Sequence, residues 1–307
     1  MTQSEDSRPS AQEGGHTDPG SGWDLHCHTV FSDGTMTPSQ MVGEAIQAGL
    51  EGVAITDHDT NAGWQEAEEA SRRSGLPLIQ GTEITAQDGP VSVHMLAYLY
   101  DPDDGAMRDL FERTRRARMT RTRTMVDRIA RDYPITWEGV LAQVKEGGRT
   151  TIGRPHIADA LVAAGVYENR SQAFAGACSS DSPYYLPTPS PTTDQVLKAV
   201  KEAGGVVVIA HPGAVNRNPV LLSDERIAAL SGQGLDGLEV WHRDNPPSER
   251  TRLLGLARRY GLLVTGGSDW HGRGKPNRIG ENTTGRETVE EIVNRGRGRA
   301  PIGLRGR

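Results

Sequence analysis

Only two cysteines, Cys27 and Cys178, occur in 307 residues. That is too few for a disulfide framework, and it fits a reducing, cytoplasmic setting. No apolar run approaches the roughly 18 residues of a membrane span, so neither a bilayer-crossing segment nor a secretory leader is expected. A basic excess is missing too: 34 Lys+Arg stand against 40 Asp+Glu, a net charge of −6. A general cationic surface for duplex nucleic acid is thereby excluded. Length is not in short supply, and a chain of this size buries a large core without staples. The charge average conceals one imbalance. Residues 108–131 hold nine Arg, no Lys and three acids, +6 in all, which leaves −12 on the rest.

Residues 1–20, rich in Ser, Gly, Gln and Glu with almost nothing to bury, are expected to be a disordered tail in which His16 is inert. From Trp23 onward, short apolar runs alternate with helical patterns, first over 21–100 and again over 191–285. Repeated strand-helix units of this kind imply a parallel sheet or a (β/α) barrel. The interruption at 101–190 carries three helical patterns, at 108–131, 137–146 and 155–165, then a Pro/Ser-rich return. It predicts a helical insertion domain that binds substrate. Residues 286–307 read as a C-terminal helix and a loose basic tail.

Nearly every predicted strand ends in a residue able to bind metal. The first gives His26 and His28 with Asp33 just beyond; the second gives His58 between Asp57 and Asp59. The third gives Glu83, and the next carries His94. Later strands end in His211, in Glu239 and His242, and in Asp269 with His271. In parallel α/β architectures these strand ends face one rim, where active sites are assembled. Side chains at i and i+2 share one side of a strand, so His26 and His28 point together while Cys27 points into the core. Imidazole and carboxylate without thiolate suit Mn, Fe or Zn, and ten or so donors are too many for one ion. Two or three divalent ions are expected, able to activate water and to neutralise phosphoryl oxygens.

Asp-Leu-His-Cys-His-Thr-x-x-Ser-Asp-Gly at 24–34, Ile-Thr-Asp-His-Asp-Thr at 55–60, Gly-Thr-Glu at 81–83, Ala-His-Pro at 210–212 and Ser-Asp-Trp-His at 268–271 resemble the PHP (polymerase and histidinol phosphatase) phosphoesterases. The resemblance implies a distorted (β/α)7 barrel with a trinuclear metal centre. It places His26, His28, Glu83 and Asp269 on the first metal, and Glu83, His94 and His211 on the second. Asp33, His58 and His271 fall to the third; some relatives carry His where Asp33 stands. Asp24, Asp57 and Asp59 then read as residues that orient the imidazoles or cap the following helices. Glu239 and His242 fall outside that ligand set. His242 or a metal-bound water is the candidate for protonating the leaving oxygen, the nucleophile being water activated by the metals.

The insertion, with Gly-Arg-Pro-His-Ile-Ala at 153–158, resembles the branch of that family that dephosphorylates nucleoside 3′,5′-bisphosphates and trims short 5′-phosphorylated RNA. Pro155 suits a first helical position, so Arg154 and His156 would lie at a helix N-terminus and clamp an anion there, the alternative being a surface salt bridge for Arg154 and a helix cap for His156. At 100° per residue, Phe111, Arg115, Arg118, Thr122, Val126 and Ile129 form one inward stripe. Arg115 and Arg118 on that face must meet carboxylates or a ligand phosphate; Arg113, Arg116, Arg121 and Arg123 are expected in solvent. Lys275 is a further phosphate candidate, while Trp241, Trp270, Tyr184 and Tyr185 are expected to pack rather than stack on a base.

The expected function is metal-dependent hydrolysis of a phosphomonoester of a small nucleotide, a nucleoside 3′,5′-bisphosphate yielding the 5′-monophosphate. Short 5′-phosphorylated RNA or histidinol phosphate are rival substrates, and a non-catalytic metal-stabilised module is the rival of another class. No membrane and no protein partner is implied.

Overall fold

The computed structural model describes residues 21–304, so the expected tail at 1–20 and the last three residues lie outside the described residues. Seven strands form one sheet in sequence order: β1 (Trp23–Asp24), β2 (Gly52–Ile55), β3 (Leu78–Asp88), β4 (Val91–Tyr98), β5 (Val206–Ile209), β6 (Gly237–Trp241) and β7 (Leu263–Gly266). The free side of β1 pairs with the chain beyond β7, through Trp23 with Thr284 and Cys27 with Trp270, which nearly closes a barrel. Helices α1 (Pro38–Gln47) and α2 (Trp64–Ser74) follow β1 and β2. The first is started by a capping box in which Thr37 and Gln40 satisfy each other's backbone N–H groups, with Pro38 at its first turn.

Pairing is parallel within β1–β2–β3 and within β5–β6–β7, but β4 runs antiparallel to both its neighbours. The expected parallel sheet therefore fails at one strand. Gly89 takes a left-handed φ of 55° before Pro90, and this tight turn folds β3 straight back into β4. His94 thus reaches the rim from a descending strand, opposite Thr85.

Between β4 and β5 lie α3 (Gly105–Ile129), α4 (Trp137–Leu141), α5 (Arg154–Ala163), α6 (Arg170–Ala175) and α7 (Thr193–Glu202). The 25-residue α3 serves two cores. Met107, Leu110 and Phe111 pack with the barrel, whereas Met125, Val126 and Ile129 pack with Ile135, Val140, Ile157 and Leu161 in a separate apolar cluster. Its buried face shifts accordingly: Thr114, not Arg115, takes the inward position, and Arg121, expected in solvent, is buried. A stripe drawn for one core misses the turn of the helix toward the other.

The remaining helices, α8 (Asp224–Gly232), α9 (Pro247–Tyr260) and α10 (Arg286–Arg295), complete the barrel. The segment after α10 is not loose. Arg297 N–H donates to the Gly204 carbonyl, Arg299 N–H to that of Leu99, and Ile302 pairs with Leu78. Gly298 allows this close approach, since a Cβ there would meet the Asp101 nitrogen at 2.2 Å.

Candidate metal centre

His26 and His28 follow β1 with their rings fully buried and their Nε2 atoms 3.1 Å apart, while Cys27 joins the barrel core. Glu83 Oε2 lies 3.2 Å from His26 Nε2, 3.0 Å from His28 Nε2 and 3.2 Å from His58 Nδ1. Three groups of donor atoms lie within 4.8 Å of one another: His26, His28, Glu83 and Asp269; His28, Asp33, His58 and His271; and His58, Glu83 and His94. His211 adds its Nε2 at 3.1 Å from Glu83 Oε1.

The donor set is suited to cations. Asp33 Oδ1, Glu83 Oε2, His58 Nδ1 and His271 Nε2 are buried and face one another at 3.1 to 3.2 Å without the alignment of a hydrogen bond. Orphaned buried lone pairs are costly unless a cation takes them. His211 Nε2 also lies 3.1 Å from Arg217 Nη1, a donor, and it cannot both accept from the guanidinium and donate to Glu83.

The surrounding carboxylates hold the donors in place. Glu239 on β6 meets His26 Nδ1 at 3.0 Å and accepts the His211 N–H at 2.8 Å. A partner on Nδ1 fixes ring orientation and leaves Nε2 for a ligand. Asp24 accepts backbone N–H groups of His26, Ser268 and Gly280, and Asp57 those of Thr29 and, by its hydroxyl, Ser32. These two acids order the loops and touch no imidazole. Of four non-glycine residues with positive φ among the described residues, three lie at this rim: Asp59, His211 and Asp269. Such strain persists only where surrounding contacts enforce it.

Burial alone would push His28 down, but Asp269 and Glu83 lift it to about 9. Burial opposes His26 in the same way, and Glu239 and Glu83 raise it well above the usual histidine range. Burial would lift Asp33 and Glu83, yet their imidazole neighbours hold both well below ordinary carboxylates. His58 and His211 are pushed well down by burial, and His271 to about 4.

His242, the expected proton donor, is buried beside this cluster. Its Nδ1 accepts the Asp244 N–H, and its unpartnered Nε2 lies 3.9 Å from Asp269 Oδ2. Lys275 Nζ meets the same Oδ2 at 2.9 Å. Arg217, overlooked in the sequence, meets it at 2.7 Å while also pairing with Asp244. Its signal was faint, a single Arg in the loop after β5.

The insertion faces this rim. Arg118 Nε lies 2.6 Å from Asp59 Oδ2, so the carboxylate expected as one possible partner is the one found. Arg115 donates instead to the Gly148 carbonyl from a half-exposed position. Arg154 donates to the Cys178 carbonyl and lies over the rings of Phe174 and Tyr185. Arg121 donates to the Leu186 carbonyl and lies over Tyr185. Burial, with Arg154 and Arg118 nearby, lowers Arg121 to about 10. His156 uses Nδ1 to accept the Gly153 N–H, closing the α5 N-terminus, and burial lowers its pKa. It therefore caps the helix through Nδ1, the alternative weighed from the sequence, and its Nε2 is the atom left for an anion. Arg170, also overlooked, grips Asp159 and donates to the Asp33 carbonyl.

The model of the PHP domain matches residues 24–165. The chain is 34% identical over 252 residues to the 5′-3′ exoribonuclease Rnm of Salmonella typhimurium, covering 81% of this chain and 85% of that protein. It is 31% identical to a phosphoribosyl 1,2-cyclic phosphate 1,2-diphosphodiesterase of Eggerthella lenta, over 81% and 94% of the two chains. A 3′,5′-nucleoside bisphosphate phosphatase of Chromobacterium violaceum is 28% identical over 83% and 89%. Among solved structures, one from Bifidobacterium adolescentis, named for an inferred metal-dependent phosphoesterase, is 65% identical. It has a TM-score of 0.90 and matches 91% of this chain and 98% of its own.

Proposed function

Because this chain belongs to the PHP domain family and is a metal-dependent phosphoesterase, we propose that its substrate is a small nucleotide with two phosphates. The reading that fits best is a nucleoside 3′,5′-bisphosphate converted to the 5′-monophosphate and inorganic phosphate. One observation carries this. Arg121 and Arg154 are largely buried beside Arg118, and neither has a carboxylate partner among the described residues. Buried guanidinium without an anion is too costly to leave so, and a phosphate is the geometric match. A substrate with a single phosphate at the rim gives this pair nothing to bind.

His26, His28, Glu83 and Asp269 would hold one divalent ion, Glu83, His94 and His211 a second, and Asp33, His58 and His271 a third. Mn, Fe or Zn suits these donors. When bound, such ions lower the pKa of water and neutralise phosphoryl oxygens. Arg217 and Lys275 hold Asp269 by one oxygen and leave the other toward His26 and His28. The P–O bond to the ribose breaks as water oxygen bonds to phosphorus, and the leaving oxygen takes up a proton that the attacking water gives up. His242 would donate a hydrogen bond to that oxygen: the Asp244 N–H on Nδ1 leaves the ring proton on Nε2. Burial pushes its pKa well down, so it acts as a neutral donor and not as an imidazolium acid.

The test is phosphate release by the Mn²⁺-loaded protein from a 3′,5′-bisphosphate, its 2′,5′ isomer, histidinol phosphate, a 5′-phosphorylated trinucleotide and a phosphoribosyl cyclic phosphate. The 3′,5′-bisphosphate is expected to give the highest kcat/KM. A trinucleotide, cyclic phosphate or histidinol phosphate that matches it overturns the reading.

A further inference from the structure

We propose that Arg118 is a positioning residue for the metal centre. Through Asp59 it makes the His58, Glu83 and His94 donors depend on the docked insertion. Asp59 follows His58 directly, is fully buried and holds a φ of 52°. It belongs to none of the three donor groups. The other strained rim residues, His211 and Asp269, are themselves candidate ligands, so the strain at Asp59 requires another reason.

Its contacts supply one. Asp59 N–H donates to the Glu83 carbonyl at 3.1 Å, and Oδ1 accepts the Thr85 N–H at 2.8 Å. Thr85 stands two residues beyond Glu83 and opposite His94 in the sheet. Each of the three donors is therefore one short link from this carboxylate. Asp59 Oδ2 accepts the Thr85 hydroxyl at 3.2 Å, a neutral donor, and the guanidinium that balances its charge comes from α3 and donates to that same hydroxyl. A fully buried carboxylate without its cation is too costly to keep in place. Its displacement would release the loop that carries His58. The insertion is thereby coupled to metal binding as well as to substrate binding.

The inference rests on the ligand reading of His58, Glu83 and His94, and is independent of the bisphosphate. Mn²⁺ affinity is measured by equilibrium dialysis on the metal-stripped full chain without any phosphate, with p-nitrophenyl phosphate turnover alongside. Arg118→Met is expected to weaken Mn²⁺ about 10- to 100-fold, the usual range for residues supporting a ligand. It should lower kcat with KM within about twofold, as loss of positioning and not of binding requires. Arg118→Lys should recover part of the affinity. Asp59→Asn combined with Arg118→Met should be no worse than the poorer single variant. His94→Ala is the reference: if it leaves Mn²⁺ affinity unchanged, the ligand reading falls, and this inference with it. If His94→Ala weakens Mn²⁺ while Arg118→Met and Arg118→Lys bind normally, only the coupling is overturned. The same holds if the loss in the Arg118 variants is confined to KM for a bisphosphate, which makes Arg118 a substrate ligand.

Discussion

The barrel rim and the inner face of the insertion are opposite electrostatic problems a few side chains apart. At the rim, carboxylates and imidazoles crowd together with unpartnered lone pairs that call for cations. In the insertion, Arg121 and Arg154 lie buried with only carbonyls and aromatic faces for company. Neither arrangement has its full counter-charge among the described residues, and a metal-bound phosphate ester would satisfy both. The difference also separates their mechanical roles: the rim is held by strand ends and backbone hydrogen bonds, the insertion by its own small apolar core. On the proposed reading, chemistry belongs to the first and selection to the second.

The largest break in this contrast comes from the rim. Glu83 touches His26, His28, His58, His94 and His211, so Glu83→Gln should remove a charge that every proposed ion shares or adjoins. A loss of several kcal/mol of charge stabilisation corresponds to roughly 10²- to 10³-fold in kcat on any phosphomonoester. Chelation of the wild-type protein should do the same and be reversed by Mn²⁺. Steady-state rates on p-nitrophenyl phosphate decide it, and turnover that survives both treatments would refute the rim's role.

The insertion should break differently. Arg154→Ala is expected to lower kcat/KM for the bisphosphate by about 10- to 100-fold, the worth of a hydrogen bond to a charged group. It should leave p-nitrophenyl phosphate within about threefold. Equal losses on both substrates would mean that Arg154 only braces the fold through Cys178, Phe174 and Tyr185.

These two regions were unequally legible before the structure. The rim could be read because strand alternation forces His26 and His28 to one side, and because motif order puts each donor at a strand end. Even the misjudged β4 delivered His94 to the same place, since a hairpin partner passes the rim as surely as a parallel strand does. The insertion was harder. Helical periodicity assumes one core, and α3 serves two, so Arg115 was taken as buried and Arg121 as solvated. Arg217 and Arg170 act from loops and a short helix, where direction cannot be read from spacing. His156 was recognised as standing at a helix start, and Nδ1 of its ring closes that helix while Nε2 is left over.

Acidity should sharpen the contrast further. His28 is lifted to about 9 because its proton stands among Asp269, Glu83 and Asp33. A metal must displace that proton, so Mn²⁺ affinity should rise as pH is raised toward 9 and level off above it. In the metal-free protein the sign is opposite. A histidine raised above its unfolded value of 6.5 stabilises the fold fully below pH 6.5 and loses that contribution as pH climbs toward 9. Thermal melts with and without Mn²⁺ should therefore diverge with rising pH. Parallel melts would remove His28 from the set of ligands.

The smallest expected effect tests whether the +6 of residues 108–131 acts as a surface or as a pocket wall. Arg116 and Arg121 carry the same charge on the same helix. Arg116 is exposed and pairs with Glu112 one turn earlier, whereas Arg121 is buried under Tyr185. An exposed pair of this kind contributes about 0.3 to 0.5 kcal/mol, and salt screens it over about 8 Å at physiological ionic strength. Arg116→Gln should thus change kcat/KM for the bisphosphate by less than about twofold. A large loss, steep in salt, would mean that the helix draws its substrate through long-range attraction by its whole charge. A null result at Arg116 beside a strong one at Arg121→Met would place the useful charge in the two or three guanidiniums that face the rim, and leave the others to keep a long helix in water.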